Sequence, residues 1–331
     1  MKVVWNDDID IASWNAFAEA NRYGSPFQQR GFYELCNSVT GLSADAAAVI
    51  DDGVIRGLAV VTRQSEPGLK GFFSRRSIIY GGPLFEEGCV SALEQILDAV
   101  NRTAGRETIY TETRNLFNYS DYKSHFSAKG YIYKPYVNFH VDTTDISSIL
   151  NRMSSSRRRQ ILKGRNEGVE WKVAGCRDEV IRFYDILGDL YRKKIKKPLP
   201  PVEFFTGFFE SGPGKYLMVW YQGRIIGGIM CPVQEGKAIY EFYVCGLDED
   251  YKNQHPSVMA TWAAIEYAAQ NGIPRFDFMG AGPPDRNYGV RDFKARFGGE
   301  KVEYGRFIRI NKPLLYETGK LGLKLSGGLG I

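Results

Sequence analysis

Histidine is scarce in this chain of 331 residues, with only His125, His140 and His255, far apart in sequence. So few and so scattered, they offer no material for a His-rich zinc site, and no metal is expected. The five cysteines, at 36, 89, 176, 231 and 245, are odd in number and form no Cys-x-x-Cys pair. Reduced thiols in a cytosolic protein fit this pattern better than a disulfide scaffold. No run approaches the roughly 20 apolar residues that span a bilayer. The first twenty residues carry Asp7, Asp8, Asp10 and Glu19 where a signal peptide has a basic start and an apolar core. A cytoplasmic location is the expectation. Excess charge is modest too, at +5. That is less basic than a dedicated nucleic-acid-binding domain, yet compatible with a phosphate-bearing partner.

The chain does have length and apolar material. Its 331 residues exceed the usual single domain, and 44% of them are apolar, so two domains with substantial cores are expected. Two stretches resemble one another. Gly53-Val54-Ile55-Arg56-Gly57 and Gly223-Arg224-Ile225-Ile226-Gly227 are each flanked by apolar residues, and both glycine pairs stand 170 residues apart. Each reads as strand, tight turn, strand, with glycine accepting a positive φ at the turn.

The parallel continues beyond the hairpins. A strand at 77–80, a helix at about 89–103, Gly105 as a stop and a strand at 108–112 come after the first. A strand at 238–245, a helix at about 256–270, Gly272 as a stop and a strand at 275–278 come after the second. Val258, Trp262, Ile265 and Ala269 fall on one face of the second helix. A period this long indicates a duplicated domain and not a solenoid.

The seam is placed near 141–146, where Asp142, Thr143, Thr144 and Asp145 are good helix caps. Helices at 146–153 and 155–167, a strand at 169–174 and a helix at about 178–194 come next. The order helix, helix, strands, helix, strand is that of a GNAT-type acyltransferase fold. The expected fold class is α/β (α+β), with two tandem GNAT-like domains whose mixed sheets are flanked by helices. The first domain spans 1–145 and the second starts at 146. The Gly/Leu-rich tail at 319–331, with Lys320 and Lys324, reads first as a loosely packed terminus and second as a peripheral membrane contact.

The strongest local string is Phe276-Asp277-Phe278-Met279-Gly280, succeeded by Gly289-Val290-Arg291-Asp292-Phe293-Lys294-Ala295-Arg296-Phe297-Gly298-Gly299. A strand ends there in a glycine-rich loop, and strand ends are where α/β folds bind ligands. Lys294 can supply positive charge to an oxyanion formed in acyl transfer. Taken alone, it reads as a surface lysine beside two core phenylalanines. Asp277 either orients an amine or caps the glycine loop. The basic runs at 157–165 and 192–197 fit a phosphate-bearing ligand or a solvated helix face.

The string from Phe276 to Gly299 resembles the ending of the Fem (FemABX) family of peptidoglycan-bridge aminoacyltransferases. Further similarities are the basic helix at 156–169, the segment 183–201 with Tyr191-Arg192-Lys193-Lys194, the Phe204-Phe205 pair, Pro256-Ser257 before a Trp-containing helix, and Ser25-Pro26-Phe27-Gln28-Gln29 near the start. The resemblance implies transfer of an aminoacyl group from aminoacyl-tRNA to an amine of a cell-wall precursor in a cleft between two domains, without a further cofactor. It also implies that 311–331 return to the first domain, so that the second spans 146–310. It implies a catalytic role for Lys294 at the oxyanion, with Phe293 shaping the acceptor site. It also implies that Arg192, Lys194, Tyr191 and Tyr243 bind substrate; Arg158, from the basic run, and Asp277, at the strand end, are candidate substrate contacts beside them. Two departures stand out. Cys36 occupies the place where the family's opening motif often ends in lysine, and there is no long helical-hairpin arm of the kind some members use for tRNA.

Acetyl-CoA enzymes of this fold cradle a pyrophosphate on a Gly-rich loop before a helix. The corresponding stretch here, 251–257, has no glycine, and Pro256 removes a donor. Acyl-CoA is therefore the less expected donor. Two other readings stand beside aminoacyl transfer: N-acylation of an amino sugar or sugar nucleotide in polysaccharide synthesis, and a non-catalytic ligand-binding protein.

Overall fold

The protein is described by a computed structural model covering residues 1–65, 74–212 and 214–325, with side chains up to residue 320. Of the expected tail segment, residues 319–325 form the end of the helix Pro313–Leu325, and the rest lies outside the described residues. The chain divides into two compact units, 1–135 with 304–331, and 136–303.

Each unit is built on a sheet of eight strands. In the first the order is β1(Lys2–Trp5), β2(Leu42–Asp51), β3(Val54–Gln64), β4(Arg76–Gly81), β6(Tyr110–Asn115), β16(Arg306–Ile310) and β7(Ile132–Lys134), with β5(Leu84–Phe85) also on β3. In the second it is β9(Glu170–Val173), β10(Gly214–Tyr221), β11(Arg224–Gln234), β12(Ala238–Tyr240), β14(Arg275–Asp277), β8(Val137–Asp142) and β15(Glu300–Glu303), with β13(Tyr243–Gly246) on β11. The two orders correspond strand for strand, so the duplication seen at the hairpins extends through the whole topology.

The hairpin turns explain why the repeat is visible in the sequence. Asp52 and Gly53 have φ of 48° and 79°, and Gln222 and Gly223 have φ of 49° and 73°. Two successive positive φ values make the tight turn that matches strand twist. Both hairpins also carry a register irregularity at equivalent places, between Val49 and Ile50 and between Val219 and Trp220.

Each sheet packs on one long helix. In the first unit it is Val90–Glu107, which buries Leu93, Ile96, Leu97 and Val100 completely. It runs through Gly105, which is therefore not the stop expected there. In the second it is Pro256–Gln270, buried on nearly all sides, with Trp262 and Ile265 fully enclosed. Gly272 comes just after it at φ 66°, as expected of a left-handed cap.

The domain limits differ from the expected ones. The expected first domain includes residues 137–142, but β8 pairs with β14 on one side and β15 on the other. The second unit therefore starts at Tyr136. Its last strand is β15, and the return to the first unit begins at Tyr304, before the expected 311, because β16 inserts between β6 and β7. Each unit thus receives the penultimate strand of its sheet from the segment that comes after the other unit's last strand.

A buried ion cluster anchors β16. Glu112 on β6 accepts from Arg306 at 2.5 Å and from Arg114 at 3.1 Å. Burial alone would push its carboxyl up, but Arg306 and Arg114 hold it down at about 2. A depressed carboxylate stabilises the fold above its unfolded value of about 4.5, and that contribution is lost as pH falls toward 2. The stability gap between the wild type and Glu112→Gln is expected to shrink by on the order of 3 kcal/mol between pH 7 and pH 2. Denaturant unfolding at the two pH values measures it, and an unchanged gap would rule the ion cluster out as the cause.

Candidate active site

The site grows from a strand that changes partner. β12 runs parallel to β14 through Ile239↔Phe276 and Tyr240↔Asp277, and the Glu241 N–H still donates to the Asp277 carbonyl at 2.9 Å. Then the two chains part. The Phe242 N–H turns to the Met230 carbonyl and β13 continues on β11, while the Phe278 N–H turns to the Phe139 carbonyl. A wedge opens at the C-terminal ends of two parallel strands, the position where α/β sheets take ligands.

Carbonyls along such a wedge lose their ladder donors, and buried carbonyls need replacements. Lys294, on the short helix Gly289–Ala295, supplies them. Its Nζ donates to Phe278 O and Gly280 O at 2.7 Å each, and lies 2.9 Å from Glu241 Oε1. Lys294 is 8% exposed, so it is not the surface lysine that the motif suggests by itself. Glu241 is buried, with the Thr261 hydroxyl 3.4 Å from its other oxygen. Burial raises the Glu241 carboxyl above its ordinary range, although Lys294 opposes the shift.

Behind the wedge, Asp277 is fully buried. Its Oδ1 accepts from Asn138 Nδ2 and from the Met279 N–H, both at 2.7 Å, and His140 Nε2 lies 3.0 Å from Oδ2. Burial alone would raise its carboxyl, but His140 and Asn138 outweigh that and hold it low. Through Oδ1 Asp277 caps the glycine loop, one of the two roles its position in the motif allows. The turn it caps has Met279 at φ 55° and Gly280 at φ 122°. A Cβ on Gly280 would come within 2.7 Å of the Tyr136 ring, so the position demands glycine.

The helix bearing Lys294 is fixed from behind by Arg157. Its guanidinium lies 4.3 Å from the Phe293 ring centroid and 4.4 Å from that of Phe297, and donates to the Phe293 carbonyl at 2.9 Å. Arg157 is 2% exposed, and burial lowers its pKa to about 10. Its neighbour Arg158, the expected substrate contact, is half-buried on the same helix, Ser155–Asn166.

The remaining expected contacts fall on one turn and one strand. Tyr191 begins a wide helical turn, Tyr191–Ile195, and its ring lies 6.3 Å from that of Tyr243 on β13. On the same turn Arg192 and Lys194 are exposed, paired with Asp189 and Glu249. Tyr243 lies two residues beyond Glu241, so this group continues one limb of the wedge. Cys36 is buried and its thiol is pushed up to about 12 by burial. Cys245 is also buried with a raised pKa, in keeping with a structural thiol.

The equivalent place in the first unit is built differently. There β4 and β6 stay paired over six residues, and the carbonyls beyond are taken by neutral donors. Gln28 Nε2 donates to Tyr80 O and Gly82 O at 2.5 and 2.8 Å, and the Tyr119 hydroxyl lies 3.1 and 3.0 Å from Gly81 O and Pro83 O. In the second copy a lysine and a carboxylate stand at the wedge, where among the described residues the first copy meets these carbonyls with Gln28 and Tyr119.

The N-terminus of the helix Pro256–Gln270 is occupied from within. Asp248 accepts from the Ser257 N–H at 3.1 Å and from the Ser257 hydroxyl. The free N–H groups at a helix start are what would hold a pyrophosphate, and here a carboxylate already stands on them.

Residues 151–295 match the family described as Acetyltransferase (GNAT) domain. No curated protein sequence matches the chain. Among solved structures, FemX is 16% identical and superposes with a TM-score of 0.72 over 96% of this chain and 99% of its own. L-PGS from Bacillus licheniformis is 14% identical, with a TM-score of 0.58 over 97% and 98% of the two chains. A tandem GNAT protein from the clavulanic acid biosynthesis pathway is 9% identical, with a TM-score of 0.55 over 94% and 99%. The chain has the tandem GNAT-like fold of FemX, and its charged wedge lies within the unit that matches the GNAT acyltransferase domain.

Proposed function

We propose that the protein is a Fem-type aminoacyltransferase, moving an aminoacyl group from aminoacyl-tRNA onto an amine of a peptidoglycan precursor in the cytoplasm. The observation that carries this is Lys294, a buried ammonium at the open end of two parallel strands in the GNAT-matching unit. In acyl transfer an amine attacks an activated ester, and the carbonyl oxygen gains charge as the tetrahedral intermediate forms. A preorganised ammonium in a site with little water stabilises that oxygen far better than bulk solvent does. Phe293, on the same helix, shapes the acceptor side.

Three further features support the reading. The exposed turn with Arg192 and Lys194, next to the Tyr191–Tyr243 pair, presents cations and hydroxyls to a diphosphate. Asp248 on the helix N-terminus repels the diphosphate of acyl-CoA. The lack of a long helical arm is no departure from FemX, 99% of whose length the chain covers.

Calorimetry with a UDP-linked muramyl peptide, a UDP-amino sugar and acetyl-CoA tests the substrate class. The muramyl peptide is expected to bind, and Arg192→Ala with Lys194→Ala to weaken it by about tenfold or more. Acetyl-CoA is expected to give no heat. Binding of the amino sugar or acetyl-CoA alone would move the protein to polysaccharide acylation. Silence from all three would favour the non-catalytic reading. Among the described residues no helix is long and apolar enough to cross a membrane.

A further inference from the structure

Lys294 has three ammonium donors, and all three are engaged: two on backbone carbonyls and one on Glu241. An oxyanion can be met only if one of these is released. The three partners are not equal. Glu241 is a carboxylate with 4% side-chain exposure, and withdrawing its counter-charge would leave a bare anion in the interior. The Phe278 carbonyl is deep in the wedge. The Gly280 carbonyl sits in a partly buried contact, on a glycine turn at the outer edge. The neutral contact at the rim is the one that costs least to exchange.

We propose that Glu241 is the positioning residue of the acyl-transfer site: it holds the Lys294 ammonium in the wedge while the Gly280 carbonyl yields its place to the oxygen of the substrate. This rests on the reading of Lys294 as the oxyanion donor. In the resting protein Gly280 O stands where that oxygen will stand, so the site is built around a neutral surrogate. Thr261, from the long helix, steadies the far oxygen of Glu241. The arrangement accounts for a costly feature, a carboxylate kept in an apolar interior, by giving it a task that no neutral side chain performs. The first unit makes the contrast: the carbonyls at its equivalent place are met by the neutral side chains of Gln28 and Tyr119.

The first test needs no substrate. In protein labelled with ¹⁵N-lysine, a buried and fully bonded ammonium gives a slowly exchanging Nζ–H signal. Lys294→Met assigns that signal by its loss. Glu241→Gln is expected to abolish it while the protein still melts cooperatively; a signal unchanged in that variant means the carbonyls alone hold the lysine and overturns the proposal. The second test is kinetic, with transfer of a radiolabelled amino acid from charged tRNA to a UDP-linked muramyl pentapeptide. Glu241→Gln is expected to lower kcat about tenfold or more in the wild-type background with KM little changed. In a Lys294→Met background the same change is expected to cost less than about twofold, because its partner is already gone. Equal losses in both backgrounds show a general structural role and overturn the proposal. Should Glu241→Gln fail to fold, Glu241→Asp keeps the charge and withdraws it by one methylene, and the same pair of backgrounds decides. Full activity of Lys294→Met overturns the donor role and this inference with it. Absence of transfer by the wild type counts against the proposed substrates alone, and the NMR arm then decides the coupling of Glu241 to Lys294.

Discussion

Lys294→Ala is expected to lower turnover by about a hundredfold and, separately, to destabilise the protein by about 3–5 kcal/mol. The two losses have different origins. The rate falls because the developing oxygen charge loses its ammonium. The stability falls because Glu241 loses its counter-charge and must take up a proton to stay in the interior, and because the carbonyls of Phe278 and Gly280 lose their donor. A loss of activity on its own would therefore prove little. The separating variant is Lys294→Met with Glu241→Gln, which removes both charges and roughly keeps the volume. It is expected to recover much of the melting temperature and none of the rate. Recovery of rate along with stability would reduce Lys294 to a structural pin. Unchanged turnover in Lys294→Ala would end the assignment outright.

Much of this site is legible in the chain, and the illegible part has physical causes. The string from Phe276 to Lys294 announces a strand, a glycine turn and a cation, because glycine and charge leave local marks. Burial of that cation leaves none. A lysine in sequence defaults to the surface, and only the three acceptors gathered by the fold reverse the default. Glu241 is invisible for a similar reason: a lone carboxylate within a strand has no pattern until its partner, 53 residues later, is brought to it. Arg157 is different, since its signal is present. Arg157, Ile161 and Gly164 recur at helical spacing and are the buried residues of their helix. The phase of the helix thus favours Arg157 over Arg158 as the inward cation. His140 and Asn138, which hold Asp277, lie on a strand that sequence patterning places in the other domain, so their meeting with it is out of reach from sequence.

That same strand sets the sharpest test of the fold. A fragment of residues 136–303 is expected to fold alone and unfold cooperatively, whereas one of residues 146–310, cut at the limits the sequence suggests, is expected to stay unfolded. The later start removes β8, which lies between β14 and β15. Val137, Phe139 and Val141 go with it, all three buried in the core of this unit, each worth about 1.5–3 kcal/mol of apolar burial. Asp277 also loses Asn138 and His140 and is left charged and buried. Together these approach or exceed the roughly 5–15 kcal/mol that holds a typical domain. The segment gained at the other end, 304–310, contributes β16, whose ladder partners β6 and β7 are in the first unit. By the same logic residues 1–135 alone are expected not to fold, since β6 and β7 are left with a gap that β16 fills. Circular-dichroism melts and dispersed amide spectra of the three fragments decide the matter. A cooperative melt from 146–310 would show that β8 is dispensable, and with it the role of β8 in holding Asp277 behind the wedge.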